Sequence, residues 1–473
     1  MPTRSYRLTT DSPEVKAAFA ELRRQLKVPA EFPEEVLAEA EQAARAPRLP
    51  DADETATPFV TLDPAESLDL DQAFHIERRG DGYLVQYAIA DVAAFVEPGG
   101  PMDVEAHERG TTLYAPDEKT RLYPAVLSEG AASLLPGEVR PALVWTMDVD
   151  ETGEGTAVRL HRALVRSRAK LDYVTAQQAL DGGTADEDLR LLREIGLLRQ
   201  QREDRRGGVS LALPEQLVTE DEQRYGLRFR APLPIEGWNA QLSLMTGMAA
   251  AELMVNAKVG LLRTVPPPGR DRVRRLRLTA EALRVVWPKR VSYQAFVRGL
   301  SPFVARQAAL LVEAAGLLRG SGYRAFDGTL PDHPVHSALA STYAHTTAPL
   351  RRLVDRYVGE VCVALSAGTE IPEWACAELP TLPETMAESA GRAGQYEAGI
   401  VSIVEAALLA GRIGETFEAI VIELRRRGGA TVVVRNPAVT ARCTGDDLPL
   451  GGRIRVRLTD ADVMQRLVRF EPA

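Results

Sequence analysis

The chain contains few cysteines and no long apolar run, and these absences exclude several classes of protein. Three cysteines among 473 residues, Cys362, Cys376 and Cys443, are too few for a disulfide framework and lack the spacing of a metal site. We expect them to be small core residues in a reducing compartment. No apolar stretch approaches the roughly 18 residues that span a bilayer, and residues 1–7 lack the apolar core of a signal peptide. We therefore expect a cytoplasmic protein without a membrane segment.

Positive charge is not in excess either. A formal net charge of -9 argues against a protein that coats nucleic acid non-specifically, because phosphate binding depends on Lys and Arg. Arginines are nevertheless clustered at residues 202–206, 270–277, 351–352 and 425–427. Each cluster alone is typical of a solvated helix face or loop, whereas together they fit an acidic protein with a basic path for RNA.

The length of 473 residues predicts two to four domains. Residues 1–55 have helical patterns, with Ser12 as the N-cap of one helix and a second helix over residues 34–46, and we expect a helical or winged-helix-like attachment. Residues 56–408 read as one large mixed α/β domain. Its first part is strand-rich, for example at residues 82–90, and its later part predicts long helices over residues 239–262 and 302–318.

Residues 411–473 change in character and predict a small antiparallel barrel. Strand-length apolar or alternating runs occur at residues 416–424, 430–435 and 453–458, and pairs of glycines separate them. The predicted fold class is therefore multidomain α+β.

Three carboxylates, Asp63, Asp69 and Asp71, fall within nine residues directly after a predicted buried strand. Mg²⁺ prefers oxygen ligands, so this cluster suggests phosphodiester chemistry. A solvated turn is the alternative, because Asp, Pro and Ser are ordinary turn residues. A calcium loop is excluded, since its sixth position requires Gly, and Leu68 and Phe74 stand there.

The aspartate run resembles the signature of the ribonuclease II (RNB) family, in which a strand ending in Ile-Asp precedes an Asp-x-Asp-Asp-Ala segment. Here the pattern is Leu62-Asp63, then Asp69-x-Asp71, then Gln72-Ala73. Segments 87–96, 105–116, 123–128 and 170–173 resemble the following family segments, and residues 343–352 resemble the family's Tyr-x-His-Phe-Thr-Ser-Pro-Ile-Arg-Arg block. The resemblance runs from about residue 32 to the C-terminus.

The resemblance implies an RNB catalytic domain followed by an S1-type OB-fold barrel. It implies processive 3′-to-5′ hydrolysis of single-stranded RNA to nucleoside 5′-monophosphates by a protein that we expect to be a monomer. Two Mg²⁺ ions, with Mn²⁺ as the alternative, would lie about 4 Å apart. The implied metal ligands are Asp63, Asp69, Asp71 and Gln72.

The resemblance also assigns residues that contact RNA. Asp71 and Arg351 would be catalytic, with Arg351 gripping the scissile phosphate. Tyr114 would stack on a base, although a buried core tyrosine is the competing interpretation, and Arg352 could equally be a structural charge. Tyr173 and Glu397 match further RNA-contacting positions. Aromatic residues are scarce in the barrel, so RNA binding there is expected to be electrostatic, through Arg425, Arg426, Arg453, Arg455 and Arg457.

Three departures from the family pattern leave alternatives open. Gln72 stands where the family usually has a fourth Asp, Leu211 where a second stacking aromatic is expected, and Met245–Gly247 where an acidic pair is usual. These departures favour, as the alternative, a catalytically weakened RNB-fold protein that binds RNA. A different metal-dependent hydrolase acting on a small phosphoester is a further alternative.

Overall fold

The computed structural model describes residues 8–9, 12–209, 211, 215–221, 224–425 and 428–473. The helices in this part of the chain are α1 (Pro13–Gln25), α2 (Glu34–Arg45), α3 (Pro101–Arg109), α4 (Tyr173–Asp181), α5 (Glu187–Arg206), α6 (Pro234–Ala257), α7 (Arg270–Ala282), α8 (Tyr293–Arg298), α9 (Ala305–Ala315), α10 (Leu353–Ala367), α11 (Glu373–Glu378) and α12 (Leu382–Leu409). Residues 1–7, Arg426 and Arg427, which entered the sequence predictions, lie outside the described residues.

The strands, in chain order, are β1 (Leu8–Thr9), β2 (Val60–Asp63), β3 (Gln72–Arg79), β4 (Gly82–Ala90), β5 (Leu113–Tyr114), β6 (Lys119–Thr120), β7 (Val139–Val149), β8 (Gly155–Arg166), β9 (Ala169–Asp172), β10 (Glu215–Asp221), β11 (Arg224–Arg230), β12 (Val259–Thr264), β13 (Gly322–Asp327), β14 (Val335–His336), β15 (Ser341–Thr342), β16 (Thr416–Leu424), β17 (Ala430–Val434), β18 (Val439–Cys443), β19 (Arg453–Asp462) and β20 (Leu467–Pro472). They form mixed architecture with the helices, which confirms the predicted α+β class.

A six-stranded sheet with the order β8-β7-β4-β3-β2-β9 forms the centre of the large domain. Its pairs are antiparallel except for β2 and β9, which run parallel with Asp63 opposite Asp172. Fully buried aromatic side chains, among them Phe59, Tyr87 and Trp145, fill the core around this sheet. The parallel pair brings the ends of β2 and β9 to one edge of the sheet, and the acidic segment begins at that edge.

The N-terminal helices share cores with the other parts of the molecule. Helix α1 begins at Pro13 after Ser12, as predicted, and its apolar face packs against α12 in a core cluster that also includes barrel residues. That face has helical spacing, with Val15, Phe19 and Leu22 buried. Helix α2 instead contributes Val36 and Ala40 to the central core.

The predicted helix over residues 239–262 was wrong at its C-terminal end. Helix α6 ends at Ala257 because Lys258 adopts a left-handed conformation with φ of 59°, which stops the helical hydrogen-bond pattern. Leu262 then lies in β12, which pairs with β13. The helix predicted over residues 302–318 is shorter, since α9 spans Ala305–Ala315 and a single 3₁₀ turn follows it.

Two of the three cysteines are core residues, as predicted. Cys362 and Cys443 are buried, whereas Cys376 is exposed and the prediction for it was wrong; all three are free thiols. Among the helices in the described ranges, none is long and apolar enough to cross a membrane.

The C-terminal strands close into a barrel in the order β16-β17-β18-β20-β19. Strand β19 alternates as the sequence predicts, with Val456 and Leu458 buried inside while Arg453, Arg455 and Arg457 are exposed outside. Phe417 and Phe470 are aromatic residues buried inside the barrel, and their ring centroids lie 5.8 Å apart. Because these rings form the barrel core, they are not available to stack on bases.

Glu405, on α12, forms hydrogen bonds to residues of β10 and of the barrel strand β18. Its side chain is buried, and its Oε1 accepts hydrogen bonds from the Gln216 side-chain amide at 2.6 Å and from the Thr440 backbone N–H at 2.7 Å. Burial raises the pKa of Glu405 to about 7. A carboxyl group with this environment keeps its proton in the folded protein at pH values where the unfolded chain has lost it.

We expect Glu405→Gln to flatten the dependence of stability on pH. A raised carboxyl pKa means that the folded state binds the proton more tightly, so stability falls as pH rises from about 4.5 to about 7 and is level above. The loss corresponds to about 3 kcal/mol. Gln keeps the accepting oxygen without the charge, so the variant should be the more stable protein at pH 8 in denaturant titrations. Identical pH profiles for the two proteins would contradict this assignment.

Candidate active site

The acidic loop connects β2 to β3 and is fixed by side chains from other segments. Lys170, on β9, donates hydrogen bonds from its Nζ to the carbonyl oxygens of Ala65 and Ser67, both at 2.6 Å. The hydroxyl of Ser133 accepts a hydrogen bond from the backbone N–H of Leu70 at 2.9 Å. The loop is therefore held in one conformation before any ligand binds.

Asp71 lies directly against the segment that carries Arg351. The backbone N–H of Leu350, 279 positions further along the chain, donates to Asp71 Oδ1 at 2.7 Å. The Nε of Arg351 lies 3.4 Å from Asp71 Oδ2. The carbonyl of Arg351 in turn accepts from the Thr112 N–H at 3.0 Å and from the Thr111 hydroxyl at 2.8 Å. The fold thus brings together a carboxylate and a guanidinium that are far apart in sequence.

Two carboxylates of this site, those of Asp71 and Asp63, have raised pKa values. Burial raises the pKa of Asp71 to about 7, and the guanidinium of Arg351 only partly opposes it. Burial and then the charge of Asp69 raise the pKa of Asp63 to about 6. Both shifts are caused mainly by burial of the carboxylates, which the nearby cations do not fully offset. A divalent cation bound among these side chains would favour their ionised forms.

Asp69 is paired with Lys119, a residue that the sequence did not single out. The Lys119 Nζ lies 2.7 Å from Asp69 Oδ1 and 3.0 Å from Glu129 Oε1. The hydroxyl of Tyr114 donates to Asp69 Oδ2 at 3.2 Å, and β5 and β6 place Tyr114 opposite Lys119. Tyr114 is 52% exposed, which excludes a buried core tyrosine. Its ring is therefore accessible beside the acidic loop.

Gln72, predicted as a metal ligand, has hydrogen-bond partners in the protein. Its amide oxygen accepts from the hydroxyl of Tyr87 at 2.6 Å and lies 3.4 Å from the hydroxyl of Ser243. Its amide nitrogen donates to the carbonyl of Thr347. These contacts join β3 to β4, α6 and the segment before Arg351, and they favour a structural role for the amide.

The donor set fits a cation only in part. Asp63 and Asp71 have the carboxylate chemistry that a hard cation needs, and their raised pKa values are consistent with binding one. However, Lys119 pairs with the third carboxylate, Asp69. Over the described ranges there is no group of three or more His, Cys, Asp or Glu side chains positioned to hold a metal ion.

The remaining predicted residues have different surroundings. Arg352 forms a two-pronged ion pair with Asp355, so the structure places it in the structural role that the sequence left open. Tyr173 begins α4 beside the site, and its hydroxyl accepts from the Asn239 side chain at 3.0 Å; burial and then the charge of Asp63 raise its pKa to about 12. Glu397 is exposed on α12, where an RNA contact stays a prediction.

Leu211, at the position where a second stacking aromatic was expected, is half-buried. It packs against the apolar cluster formed by α7, α8 and α9. The residues in place of the expected acidic pair, Met245, Thr246 and Gly247, are buried in α6. Neither segment offers a second aromatic or acidic group to the loop.

Comparison with known protein families decides the classification. The RNB domain matches residues 52–365, which is more than half of the chain. The chain belongs to the RNB family. The RNase II-type exonuclease C-terminal S1 domain matches residues 415–473, the region of the closed barrel. The RNB assignment and the S1-type barrel expected from the sequence are both confirmed.

Among curated relatives, this RNB protein is 29% identical over 423 residues to Ribonuclease R of Aquifex aeolicus, covering 84% of this chain and 59% of the relative. It is 29% identical over 317 residues to Ribonuclease R of Escherichia coli K12, covering 63% of this chain and 38% of the relative. The chain therefore spans between 38% and 59% of the length of these two relatives.

Solved structures show the same fold. The apo form of Mycoplasma genitalium RNase R has a TM-score of 0.86 at 19% identity, covering 98% of this chain and 78% of that chain. Yeast Ssd1, described as a pseudonuclease, has a TM-score of 0.71 at 16% identity, covering 97% of this chain and 58% of that chain. The RNB fold therefore occurs both in a ribonuclease and in a pseudonuclease, so activity must be argued from the site.

Proposed function

We propose that this RNB protein is a processive 3′-to-5′ exoribonuclease that hydrolyses single-stranded RNA to nucleoside 5′-monophosphates, with Mg²⁺ or Mn²⁺ as cofactor. The observation that carries the proposal is the contact between buried Asp71 and Arg351, with Asp63 and Asp69 beside them. Relatives named Ribonuclease R support the reaction class. We further propose that the protein acts in the cytoplasm as a monomer.

The side chains have separable tasks in this proposal. Arg351 is 46% exposed and can present two parallel N–H groups to the oxygens of the scissile phosphate. Tyr114 can stack on a base at the reacting end, a contact worth about 1–3 kcal/mol. Asp63, Asp69 and Asp71 would hold the divalent cation, whose chemistry is to make the attacking water nucleophilic and to stabilise the departing oxygen. Gln72 is left out of this ligand set because of its contacts with Tyr87 and Thr347.

The barrel would guide the RNA strand electrostatically. Arg453, Arg455 and Arg457 lie on one exposed side of β19, and this spacing suits successive phosphates better than base stacking. Because the contacts are ionic, RNA affinity is expected to fall steeply with salt concentration. The RNA-contacting roles of Tyr173, Glu397 and Arg425 belong to the same proposal.

The experiment that tests the proposal follows the length of a labelled RNA. Poly(A) carrying a 5′ label is incubated with the protein and Mg²⁺, and samples are separated by electrophoresis. The expected result for a processive enzyme is that full-length RNA is converted to a short 5′-labelled end product with few intermediates of other lengths, and that AMP is released. Retention of full-length RNA on the protein would reject the enzyme and favour the alternative of a catalytically weakened RNA-binding protein.

One observation favours the alternative of a catalytically weakened RNA-binding protein, and a prediction follows from it. Lys119 holds Asp69 at 2.7 Å, so its ammonium group competes with a cation for this carboxylate. We expect Lys119→Met to raise Mn²⁺ affinity by roughly 10-fold, because a charged hydrogen bond of this kind is worth about 1.5–3 kcal/mol. Electron paramagnetic resonance of free Mn²⁺ measures the affinity without any assay of activity.

The matched control is Lys289→Met, which removes the same charge from an exposed position between α7 and α8. It should leave Mn²⁺ affinity unchanged. If Lys119→Met binds Mn²⁺ no better than wild type, Lys119 does not compete for the site.

A further inference from the structure

A second polar cavity lies between α5, α6 and the β7–β8 hairpin. It has a volume of about 460 Å³, and its lining includes neither the three aspartates nor Arg351. Four arginines of α5 line it, Arg199, Arg202, Arg205 and Arg206. Their spacing places them along one side of the C-terminal half of the helix. The sequence had marked part of this cluster, but the proposed nuclease function leaves it without a role.

Two of these guanidinium groups, those of buried Arg199 and of half-buried Arg206, have no carboxylate partner. Arg199 is 4% exposed; its Nη1 donates to the Gly153 carbonyl at 2.9 Å, its Nη2 lies 3.6 Å from the Met248 sulfur, and its Nε has no partner. Arg206 donates from Nε to the Leu339 carbonyl at 2.7 Å, and its buried Nη2 has no partner. Neither makes an ion pair within 4.0 Å with any carboxylate in the described part of the chain.

The charges around these groups do not balance. Burial and then the charge of Arg206 lower the pKa of Arg199 to about 10, while Glu203 partly offsets both effects. Glu203 also accepts a hydrogen bond from Gln241 at 2.8 Å. In the lining itself, Glu154 pairs with Arg202 and Glu252 is exposed on α6. The lining thus holds four arginines and two glutamates, with Glu203 beside them. Among the four arginines Arg199 is buried, and a buried charge without an ion pair is costly unless an anion joins it.

The cavity wall also has an apolar part beside polar side chains such as Ser341 and Thr342. Met147, Met245 and Met248 line it, and methionine side chains adapt to flat or irregular apolar groups. A volume of about 460 Å³ lies within the range of small-molecule sites, which is roughly 300–1,000 Å³. The combination suits a ligand with an anionic end and an apolar remainder.

We propose that this cavity binds a phosphate monoester, with Arg199 and Arg206 as the donors to its phosphate group. Guanidinium groups match phosphate oxygens in pairs, and the protein satisfies neither the Nε of Arg199 nor the Nη2 of Arg206. Both nitrogens are shielded from solvent, so a phosphate group reaches them only when these two side chains turn toward the cavity. Inorganic phosphate and a nucleoside 5′-monophosphate share this chemistry. The methionine walls would favour the nucleotide. The proposal does not depend on the nuclease function, because the cavity and the aspartate loop have no residue in common.

The test measures binding of AMP, inorganic phosphate and adenosine to the full-length chain by titration calorimetry. AMP is expected to bind more tightly than phosphate, and adenosine is expected not to bind. Arg206→Gln should weaken AMP binding by about 10-fold or more, since a charged hydrogen bond contributes about 1.5–3 kcal/mol. Absence of binding by both AMP and phosphate at millimolar concentration would overturn the proposal.

Two further variants separate this cavity from other sites. Arg190 is an exposed residue of the same helix and pairs with Glu187 at 2.6 Å. The Arg190→Gln variant should therefore bind AMP like the wild-type protein. Arg351→Met should also retain AMP binding. If instead Arg351→Met loses the binding while Arg206→Gln keeps it, AMP occupies the aspartate site and the proposal is wrong. Circular dichroism of Arg206→Gln confirms that the variant is folded, and Arg199→Met provides a second test of the same donors.

Discussion

Asp71→Asn is expected to reduce the turnover of poly(A) by about 10³-fold while RNA binding stays within a few-fold of wild type. The carboxylate of Asp71 is buried, accepts from the Leu350 N–H and faces Arg351. Asn can keep the hydrogen bond from Leu350 and preserve the fold. It removes the charge that the proposed reaction needs, whereas the exposed ring of Tyr114 and the arginines of the barrel remain to bind RNA.

The measurements are single-turnover cleavage at saturating protein and filter binding of the same RNA. Asp81→Asn is the matched control, because Asp81 is exposed in the turn at the other end of the β3–β4 hairpin that Asp71 precedes. It should change neither quantity. Turnover close to wild type in Asp71→Asn would remove this residue from the chemistry, and with it the proposed mechanism.

Arg351→Met is expected mainly to reduce turnover and Arg352→Met mainly to reduce stability, although the two residues are neighbours in the sequence. Arg351 is 46% exposed, so its loss should lower turnover by about 10²–10³-fold and cost less stability than the loss of Arg352. Arg352 is 17% exposed and makes a two-pronged pair with Asp355. Removing Arg352 leaves Asp355 buried without its partner, and we expect a stability loss of about 3–5 kcal/mol.

Denaturant unfolding and single-turnover cleavage, measured on both variants, distinguish these outcomes. Asp355 also accepts from the Ala348 N–H at 2.7 Å, so its pairing with Arg352 helps to fix the turn that presents Arg351. Arg352→Met can therefore lower activity through partial unfolding, and its activity is compared at a temperature where the variant is folded. A folded Arg352→Met protein with wild-type stability and no turnover would reverse the two assigned roles.

The elements with strong local patterns were predicted well from the sequence. Strands β4 and β16 have the predicted bounds, and α1 begins after Ser12 as expected. These segments have clear periodicity and turn residues at their ends, so local interactions suffice to define them. The helix over residues 239–262 was overextended because its last residues are apolar in either conformation, and only the pairing of β12 with β13 makes them a strand.

Local patterns carried less information about the site. The spacing of Asp63, Asp69 and Asp71 identified the acidic loop, but nothing in the spacing distinguishes a ligand from a residue in a structural network. The contacts of Gln72 with Tyr87 and Thr347 join residues that are distant in sequence. The pairing of Lys119 with Asp69 also joins residues that are distant in sequence. The one available signal was a lysine between the recognised segments 105–116 and 123–128.

By itself the sequence determined the α+β class, the position of the acidic loop, the C-terminal barrel and the family. Only the tertiary structure decided which of two adjacent arginines faces Asp71, which carboxylate Lys119 neutralises, and that α5 presents guanidinium groups to a separate cavity. The physical reason is that motif and periodicity depend on neighbours along the chain. Charge pairing and burial depend on neighbours in space, and the fold brings these together from distant segments, as it does for Asp71 and Leu350, which are 279 positions apart.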